Sequence, residues 1–260
     1  MRSQAEKAAI FRALHDGPAF VIPNPWDEGS AKMLVGLGYR AIATTSSGFA
    51  FTRGRLDGEV ALDAVVDHVA ALVDAVDVPV SVDLENGHGP EPQAAAAAIV
   101  RVAQAGAVGG SIEDWDPSCR IYDIGHAAER VAAAVASARG LGFPFTLTAR
   151  AENHIRGNPD LDDTISRLRA YEAAGADVLY APGLETLDEV ATVCAAVSKP
   201  VNVLARPHLT MVDLVAAGAR RVSLGGSLTW VAVDAAVSVM TAIRDRGDFS
   251  GLRPRPPLPA

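Results

Sequence analysis

Short apolar runs of strand length recur eight times along this chain, and amphipathic, alanine-rich segments of helical period separate them. This alternation favours parallel strands joined by helices, because two parallel strands need a long crossover connection. Eight such units within 260 residues predict an α/β fold of the (β/α)8 TIM-barrel class. The alternative, a doubly wound open sheet, predicts a glycine-rich turn after the first strand, where the chain instead reads Pro23-Asn-Pro-Trp-Asp27. The predicted strands cover residues 19–23, 41–45, 78–83, 107–113, 144–150, 176–181, 200–205 and 221–225.

No domain boundary interrupts this pattern, so we expect residues 1–250 to form a single barrel domain. The proline-rich residues 251–260 are expected to form an extended C-terminal tail, because such a run suits neither a helix nor the interior of a sheet. Residues 229–243 are the longest apolar stretch, but Asp234 interrupts it. We therefore interpret this stretch as a packed helix and expect no membrane partner.

The bulk composition excludes several classes of function. Lys and Arg number 23 against 31 Asp and Glu, and the net charge of −8 argues against a nucleic-acid partner. The two cysteines, Cys119 and Cys194, form neither a disulfide framework nor a zinc-binding spacing. The N-terminal residues lack the apolar segment of a signal peptide, so the cytoplasm is the expected location.

Carboxylates follow two neighbouring predicted strands at the point where each strand ends. Asp83 and Glu85 are two residues apart, which places them on the same face of an extended strand, and Glu113 ends the next strand. In a TIM barrel the carboxyl ends of the strands form the active site. These acids are the hard oxygen ligands that Mg²⁺ or Mn²⁺ prefers, directly or through water. The alternative is a network of ion pairs that closes the rim of the barrel, and Asp114 could equally cap a helix or support its loop.

Substrate-binding candidates come from the same rim. Arg150 ends the fifth predicted strand and could bind a substrate carboxylate in a bidentate fork, or form an internal pair with Glu152 or Glu113. The turn Thr45-Ser46-Ser47-Gly48 could present backbone N–H groups to an anion. Trp26 could form a wall of the pocket, or simply pack there, and Asn202 lies where a second carboxylate could bind.

These motifs, in this order, resemble those of the phosphoenolpyruvate mutase/isocitrate lyase superfamily. The most specific stretches are Val82-Asp-Leu-Glu-Asn-Gly-His-Gly89, Gly109-Gly-Ser-Ile-Glu-Asp114 and Thr148-Ala-Arg-Ala-Glu152. The resemblance implies a Mg²⁺-dependent enzyme that acts on α-oxo acids or phosphonates through an enolpyruvate-like anion. It places the metal-site acids at Asp57, Asp83, Glu85 and Glu113, the anion-binding loop at Thr45, Ser46 and Ser47, and the strand-five arginine at Arg150. It also implies a homotetramer, a dimer of dimers that exchanges the last helix between neighbouring barrels.

The loop after the fourth strand departs from the family pattern. The carbon–carbon lyases carry a general-acid cysteine there within a Lys-Lys/Arg-Cys-Gly-His motif, whereas this chain reads Asp114-Trp-Asp-Pro-Ser-Cys119-Arg120. Cys119 is a candidate catalytic residue on this resemblance, and a cysteine with no catalytic role is the alternative. We expect a carbon–carbon bond lyase, of the 2-methylisocitrate or isocitrate lyase type or cleaving oxaloacetate. A phosphonomutase or phosphonopyruvate hydrolase, and a dicarboxylate-binding barrel without catalysis, are the alternatives.

Overall fold

The fold is an eight-stranded parallel barrel, seen here in a computed structural model that describes residues 1–118 and 120–254. The barrel strands follow the order β1-β10-β9-β8-β7-β4-β3-β2. The Ala43 N–H donates to the Pro23 carbonyl at 3.0 Å, which connects the two outer strands of that order. The strands are β1 Phe20–Ile22, β2 Ile42–Ala43, β3 Val80–Asp83, β4 Gly109–Glu113, β5 Trp115–Asp116, β6 Arg120–Ile121, β7 Thr146–Arg150, β8 Val178–Tyr180, β9 Val201–Leu204 and β10 Arg221–Ser223. All eight predicted strands are present, and the predicted barrel is confirmed.

Helices connect the strands and surround the barrel. Several begin at a side chain that accepts from a free backbone N–H, as Thr186 does at the start of the eighth helix. Gly106 and Gly175 follow the ends of two helices with φ near +100°, the left-handed conformation that turns the chain back toward the next strand. The helices are α1 Gln4–Asp16, α2 Glu28–Gly36, α3 Ser46–Thr52, α4 Leu62–Ala75, α5 Pro92–Gln104, α6 Ile124–Arg139, α7 Leu161–Ala173, α8 Leu187–Ala196, α9 Met211–Ala216 and α10 Ser227–Arg246.

The apolar core lies mainly between the helices and the outer face of the barrel, where small residues allow close contact. The barrel interior, by contrast, contains buried polar side chains. Thr148 on β7, Asn202 on β9 and Arg221 on β10 are all at most 5% exposed. These residues place hydrogen-bonding groups directly beneath the carboxyl ends of the strands.

Two elements were not anticipated from the sequence. Helix α1 packs Phe11 against the first residues of the barrel strands, and a Cβ on Gly109 would lie only 2.6 Å from the Phe11 ring. The antiparallel hairpin of β5 and β6 extends from the loop after β4. Helix α1 precedes the first β–α unit, and β5 and β6 are only two residues long each. Neither element therefore contributes an apolar run of strand length to the repeating pattern.

Helix α10 corrects one expectation. Residues 229–243 were predicted to form a packed helix, but Val231 and Met240 are 66% and 60% exposed within this chain. An apolar helix face is usually buried against another surface. The composition of the helix does not indicate whether that surface belongs to the same chain. Among the described helices, α10 alone has the length and hydropathy of a membrane span, and a single helix of that kind is weak evidence for one. Residues 251–254 of the predicted tail contain neither helix nor strand, and residues 255–260 lie outside the described residues.

Candidate active site

A cavity of about 250 Å³ opens at the carboxyl ends of the barrel strands. Its walls are polar, because almost every strand ends here in a hydrogen-bonding or charged side chain. The sequence-predicted residues that line it are Thr45, Ser46, Ser47, Asp57, Asp83, Arg150 and Asn202. Glu152, Arg156, Tyr180, Arg221 and Ser223 line it as well. The structure therefore brings together most of the candidates from separate parts of the chain.

Arg150 is surrounded by protein carboxylates. Its Nη1 lies 2.8 Å from Asp83 Oδ1, and its Nη2 lies 2.9 Å from Glu113 Oε2 and 2.8 Å from Glu152 Oε1. The Nε group donates to the same Glu152 oxygen at 3.1 Å. These three carboxylates raise the pKa of Arg150 well above its usual value, although burial opposes them. The internal pairing that the sequence left open is thus present, and it engages all three guanidinium nitrogens.

The acids outnumber the bases at this rim. Among the described residues, five carboxylates share two guanidinium groups there, those of Arg150 and Arg156. The five acids are Asp57, Asp83, Glu85, Glu113 and Glu152. Burial raises the pKa of Glu85 to about 8, and repulsion from the Asp83 and Asp57 carboxylates adds to the rise. Asp57 lies on an exposed loop, yet desolvation of its carboxyl group and the charge of Asp83 raise its pKa too. Such mutual repulsion is relieved when a cation binds between the carboxylates.

The donor set fits a hard divalent cation held partly through water. Among the residues that the structure describes, no three His, Cys, Asp or Glu side chains are grouped to enclose an ion by themselves. Mg²⁺ usually keeps several waters and takes only one or two carboxylates directly. Asp83 would hold the ion, with Asp57 and Glu85 acting through water. Glu113 instead pairs with Arg150 and lies 3.7 Å from Arg156 Nη2.

The loop after β2 connects the acids to the substrate-binding candidates. The Ser46 backbone N–H donates to Asp83 Oδ2 at 3.2 Å, and the Ser46 side chain hydrogen-bonds Asp57. Thr45 caps α3 by accepting from the Gly48 N–H at 3.3 Å, and its hydroxyl lies 3.3 Å from that of Ser47. The loop is therefore fixed against the carboxylates, and the Ser46 and Ser47 side chains remain at the cavity wall.

Four described candidates do not line the main cavity: Glu85, Glu113, Gly48 and Trp26. Gly48 is buried outside the cavity wall, where a Cβ would lie 2.6 Å from Thr229 Oγ1 and from Thr45 Cγ2. Trp26 lines a neighbouring cavity beside Asp27 and Phe49 instead of the main one. Cys119 lies outside the described residues, so its catalytic role stays a prediction.

Residues behind the cavity hold its loops in place. The sequence left a loop-supporting role open for Asp114 and did not identify Arg130. Asp114 accepts from Arg167 Nη1 at 3.0 Å, from the Tyr171 hydroxyl and from the Glu152 N–H, so it supports the loop after β4. Arg130 donates to the carbonyls of Asn86, Gly89 and Pro90 and anchors the loop after β3. The sequence signal for the anchoring role of Arg130 is its positive charge at one of the otherwise apolar, buried positions of α6.

The loop after β3 carries backbone strain. Glu85 and His88 have φ values of +50° and +58°, a region that residues with a Cβ rarely adopt. Strained residues persist where the surrounding structure holds them, and they are enriched at functional sites. The strain therefore agrees with a functional position for Glu85.

Known proteins share this sequence pattern and this fold. The sequence model of the phosphoenolpyruvate phosphomutase family matches residues 11–244. A solved Burkholderia cenocepacia J2315 protein, described as a lyase/mutase, is 51% identical, with a TM-score of 0.94 over 95% of this chain and 92% of its own. A second protein from that strain, described as a phosphonomutase, is 34% identical, with a TM-score of 0.86 over 95% of this chain and 100% of its own.

A curated enzyme extends the comparison to carbon–carbon lyases. The 2-methylisocitrate lyase of Halalkalibacterium halodurans is 27% identical over 77% of this chain and 68% of the enzyme. The family model covers most of the chain, including every motif that carries the resemblance. The chain belongs to the phosphoenolpyruvate mutase/isocitrate lyase superfamily.

Proposed function

We propose that this protein is a Mg²⁺- or Mn²⁺-dependent lyase that breaks a carbon–carbon bond, either in an α-oxo acid such as oxaloacetate or in a hydroxy acid of the isocitrate or 2-methylisocitrate type that releases an α-oxo acid. The observation that carries the proposal is the excess of carboxylates over guanidinium groups at the rim of the cavity. Asp57 and Asp83 line a cavity that a small organic acid would fit. Burial raises the pKa of Asp57 and of Glu85, and the nearby Asp83 carboxylate adds to both shifts. Such an arrangement is costly for stability unless a cation binds there.

With an oxo-acid substrate, the reaction would proceed by moving an electron pair from the breaking bond into the oxo acid. In oxaloacetate the bond to the departing carboxylate breaks, its electron pair delocalises onto the ketone oxygen as an enolate, and the adjacent carbon then takes a proton. A bound divalent cation would supply Lewis acidity at the ketone and carboxylate oxygens. The Ser46 and Ser47 side chains, which line the cavity, would orient those oxygens.

The protein's own residues would keep the site organised during this charge movement. Arg150 fixes Asp83, Glu113 and Glu152 in place and so holds the metal-site carboxylate Asp83 in one orientation. Tyr180 stacks near Arg150, and burial raises the pKa of its hydroxyl to about 12, so that it remains a hydrogen-bond donor at neutral pH. Fixed donors of this kind are each typically worth about 3 kcal/mol of transition-state stabilisation.

The experiment is a substrate panel in the presence of Mg²⁺ or Mn²⁺. Oxaloacetate, isocitrate, 2-methylisocitrate and phosphonopyruvate would be incubated with the protein, and pyruvate and glyoxylate release would be measured against blanks without enzyme. We expect turnover of at least one carbon–carbon substrate, and a loss of roughly 100-fold or more in Asp83→Asn. Asp74→Asn, at an exposed acid on α4, is the matched control and should retain full activity.

Two outcomes would contradict the proposal. Activity in Asp83→Asn equal to that of the wild type would remove Asp83 from the site. Tight oxalate and metal binding without turnover of any panel member would favour a binding protein.

A phosphonate reaction is the second candidate, because a relative at 34% identity is described as a phosphonomutase. Phosphorus NMR of the protein with phosphonopyruvate and Mg²⁺ would distinguish the two. Conversion to phosphoenolpyruvate or to free phosphate, without carbon–carbon cleavage of any other substrate, would replace the lyase proposal.

A further inference from the structure

Arg221 is a buried cation without a carboxylate partner. It is 5% exposed on β10 and donates to three neutral groups: Asn202 Oδ1 at 2.8 Å, Thr148 Oγ1 at 2.9 Å and His15 Nε2 at 3.2 Å. Among the described residues, no carboxylate lies within ion-pair distance of its guanidinium group. Burial lowers its pKa only to about 10, so Arg221 stays charged at neutral pH.

The neutral state of His15 is part of this arrangement. His15 Nδ1 lies 2.8 Å from the Phe11 carbonyl and donates to it, which leaves Nε2 as the acceptor for Arg221. Burial and the charge of Arg221 lower the pKa of His15 to about 3. His15 is therefore neutral and does not offset the positive charge on Arg221.

Three arginines line the cavity. Arg150 and Arg156 pair with protein carboxylates, whereas the described hydrogen-bond partners of Arg221 are all uncharged. Arg150 is balanced by three protein carboxylates, so it contributes little net positive potential to the cavity. Arg221 lines the same cavity, and each hydrogen-bond partner that the described residues give it is uncharged. An unpaired buried charge destabilises a fold, and its field is weakly screened in a low-dielectric interior.

We propose that Arg221, rather than Arg150, supplies the positive potential that draws an anionic substrate to the floor of the cavity and favours a dianion over a monoanion. The inference rests on the proposed function and names the charge class of its substrate. Arg221 acts as a positioning residue, through its field and through Asn202.

The test offsets the positive charge of Arg221 with a new carboxylate, placed on the side of the guanidinium group that faces away from the cavity. His15 does not line the cavity, so His15→Glu would place a carboxylate beside the Arg221 guanidinium without changing the cavity wall. His15→Gln is the matched control, because it makes a similar change in shape and adds no charge. Calorimetry would measure the binding of oxalate and of pyruvate, with and without Mg²⁺, and thermal unfolding would confirm that both variants are folded.

We expect His15→Glu to weaken oxalate binding roughly tenfold or more and pyruvate binding by a smaller factor, because a field acts in proportion to ligand charge. His15→Gln should stay within about twofold of the wild type for both ligands. A purely structural role for Arg221 would instead change both ligands alike in both variants. Arg221→Gln provides a second test with the same expected loss of oxalate affinity, should His15→Glu fail to fold.

The outcomes separate this inference from the proposed function. Equal oxalate affinity in folded His15→Glu and in the wild type overturns the inference and leaves the proposed function intact. Weaker binding in His15→Glu without any effect of Mg²⁺ supports the inference and counts against the metal-dependent reaction. A wild-type protein that binds neither oxalate nor pyruvate under any condition overturns both.

Discussion

At the scale of single residues, the site depends on which charges pair with which. Arg150 engages Asp83, Glu113 and Glu152 at distances of 2.8–2.9 Å, and all of these side chains are at least partly buried. Planar guanidinium geometry allows one side chain to reach three carboxylates in different directions. A lysine ammonium is a single point and cannot replace this set of contacts.

Arg150→Lys should therefore lose both stability and activity. We expect a loss of about 2–4 kcal/mol in the free energy of unfolding, because two buried carboxylates lose their fixed partner. Turnover in the substrate panel should fall roughly 100-fold. Urea denaturation and steady-state kinetics would measure the two effects.

The control is Arg139→Lys, which alters an exposed pair with Asp177. Exposed pairs contribute little, so this variant should change stability by less than about 1 kcal/mol. A similar small effect in Arg150→Lys would show that the buried network around Asp83 does not depend on the guanidinium shape.

At the scale of elements, the first turn of α3 is fixed by close packing against α10. Gly48 leaves no room for a side chain between Thr45 and Thr229, so its glycine serves helix packing. The sequence motif Thr45-Ser46-Ser47-Gly48 predicts an anion-binding turn. Its last residue instead determines how closely the turn approaches its neighbouring helix.

Gly48→Ala should destabilise the protein by about 1–3 kcal/mol, because the new methyl group would overlap Thr229 Oγ1 and Thr45 Cγ2. Thermal unfolding is the measurement. Gly125→Ala in α6 is the control: no heavy atom lies within 4 Å of the new Cβ, and alanine suits a helix better than glycine. Equal melting temperatures for the two variants would contradict the packing role of Gly48.

At the scale of the whole molecule, buried histidines couple stability to pH. Burial lowers the pKa of His15 to about 3 and that of His68 to about 4. Both values lie below the unfolded value of about 6.5, so the unfolded chain binds more protons between these limits. The stability that these neutral histidines contribute is complete above about pH 6.5. It is lost as the pH falls toward about 4 for His68 and toward about 3 for His15.

His15→Gln should make the stability profile flatter on the acidic side. Removing one depressed histidine should reduce the loss between pH 6.5 and pH 4 by at most about 3 kcal/mol. Urea denaturation at several pH values would compare the variant with the wild type. Parallel profiles in the two proteins would show that His15 does not titrate in this way.

The exposed apolar face of α10 is also a property of the whole molecule. The family resemblance implies a homotetramer with exchange of the last helix, and this stays a prediction. Sedimentation equilibrium should give four times the 27.0 kDa chain mass, and Met240→Lys should shift the protein toward smaller species because a charge cannot be buried cheaply in an apolar interface. A monomeric wild type would contradict the prediction.

Local sequence determined the barrel and the position of the acids. The eight apolar runs became eight strands, and Asp83, Glu113 and Arg150 lie where those strands end. Strand length, apolar period and the direction of a parallel strand are local properties, so a single sequence is sufficient to infer them. Ser46 and Ser47 come shortly after β2, so the shared direction of the parallel strands also predicts their position at the cavity.

Tertiary structure alone decided which charges are balanced. The sequence could not show that Arg150 contacts three protein carboxylates. Nor could it show that Arg221 is buried with no carboxylate partner in the described part of the chain. It also could not show that α10 is exposed within the chain. Ion pairing and burial depend on distances between elements far apart in sequence, and those distances are fixed only when the barrel closes.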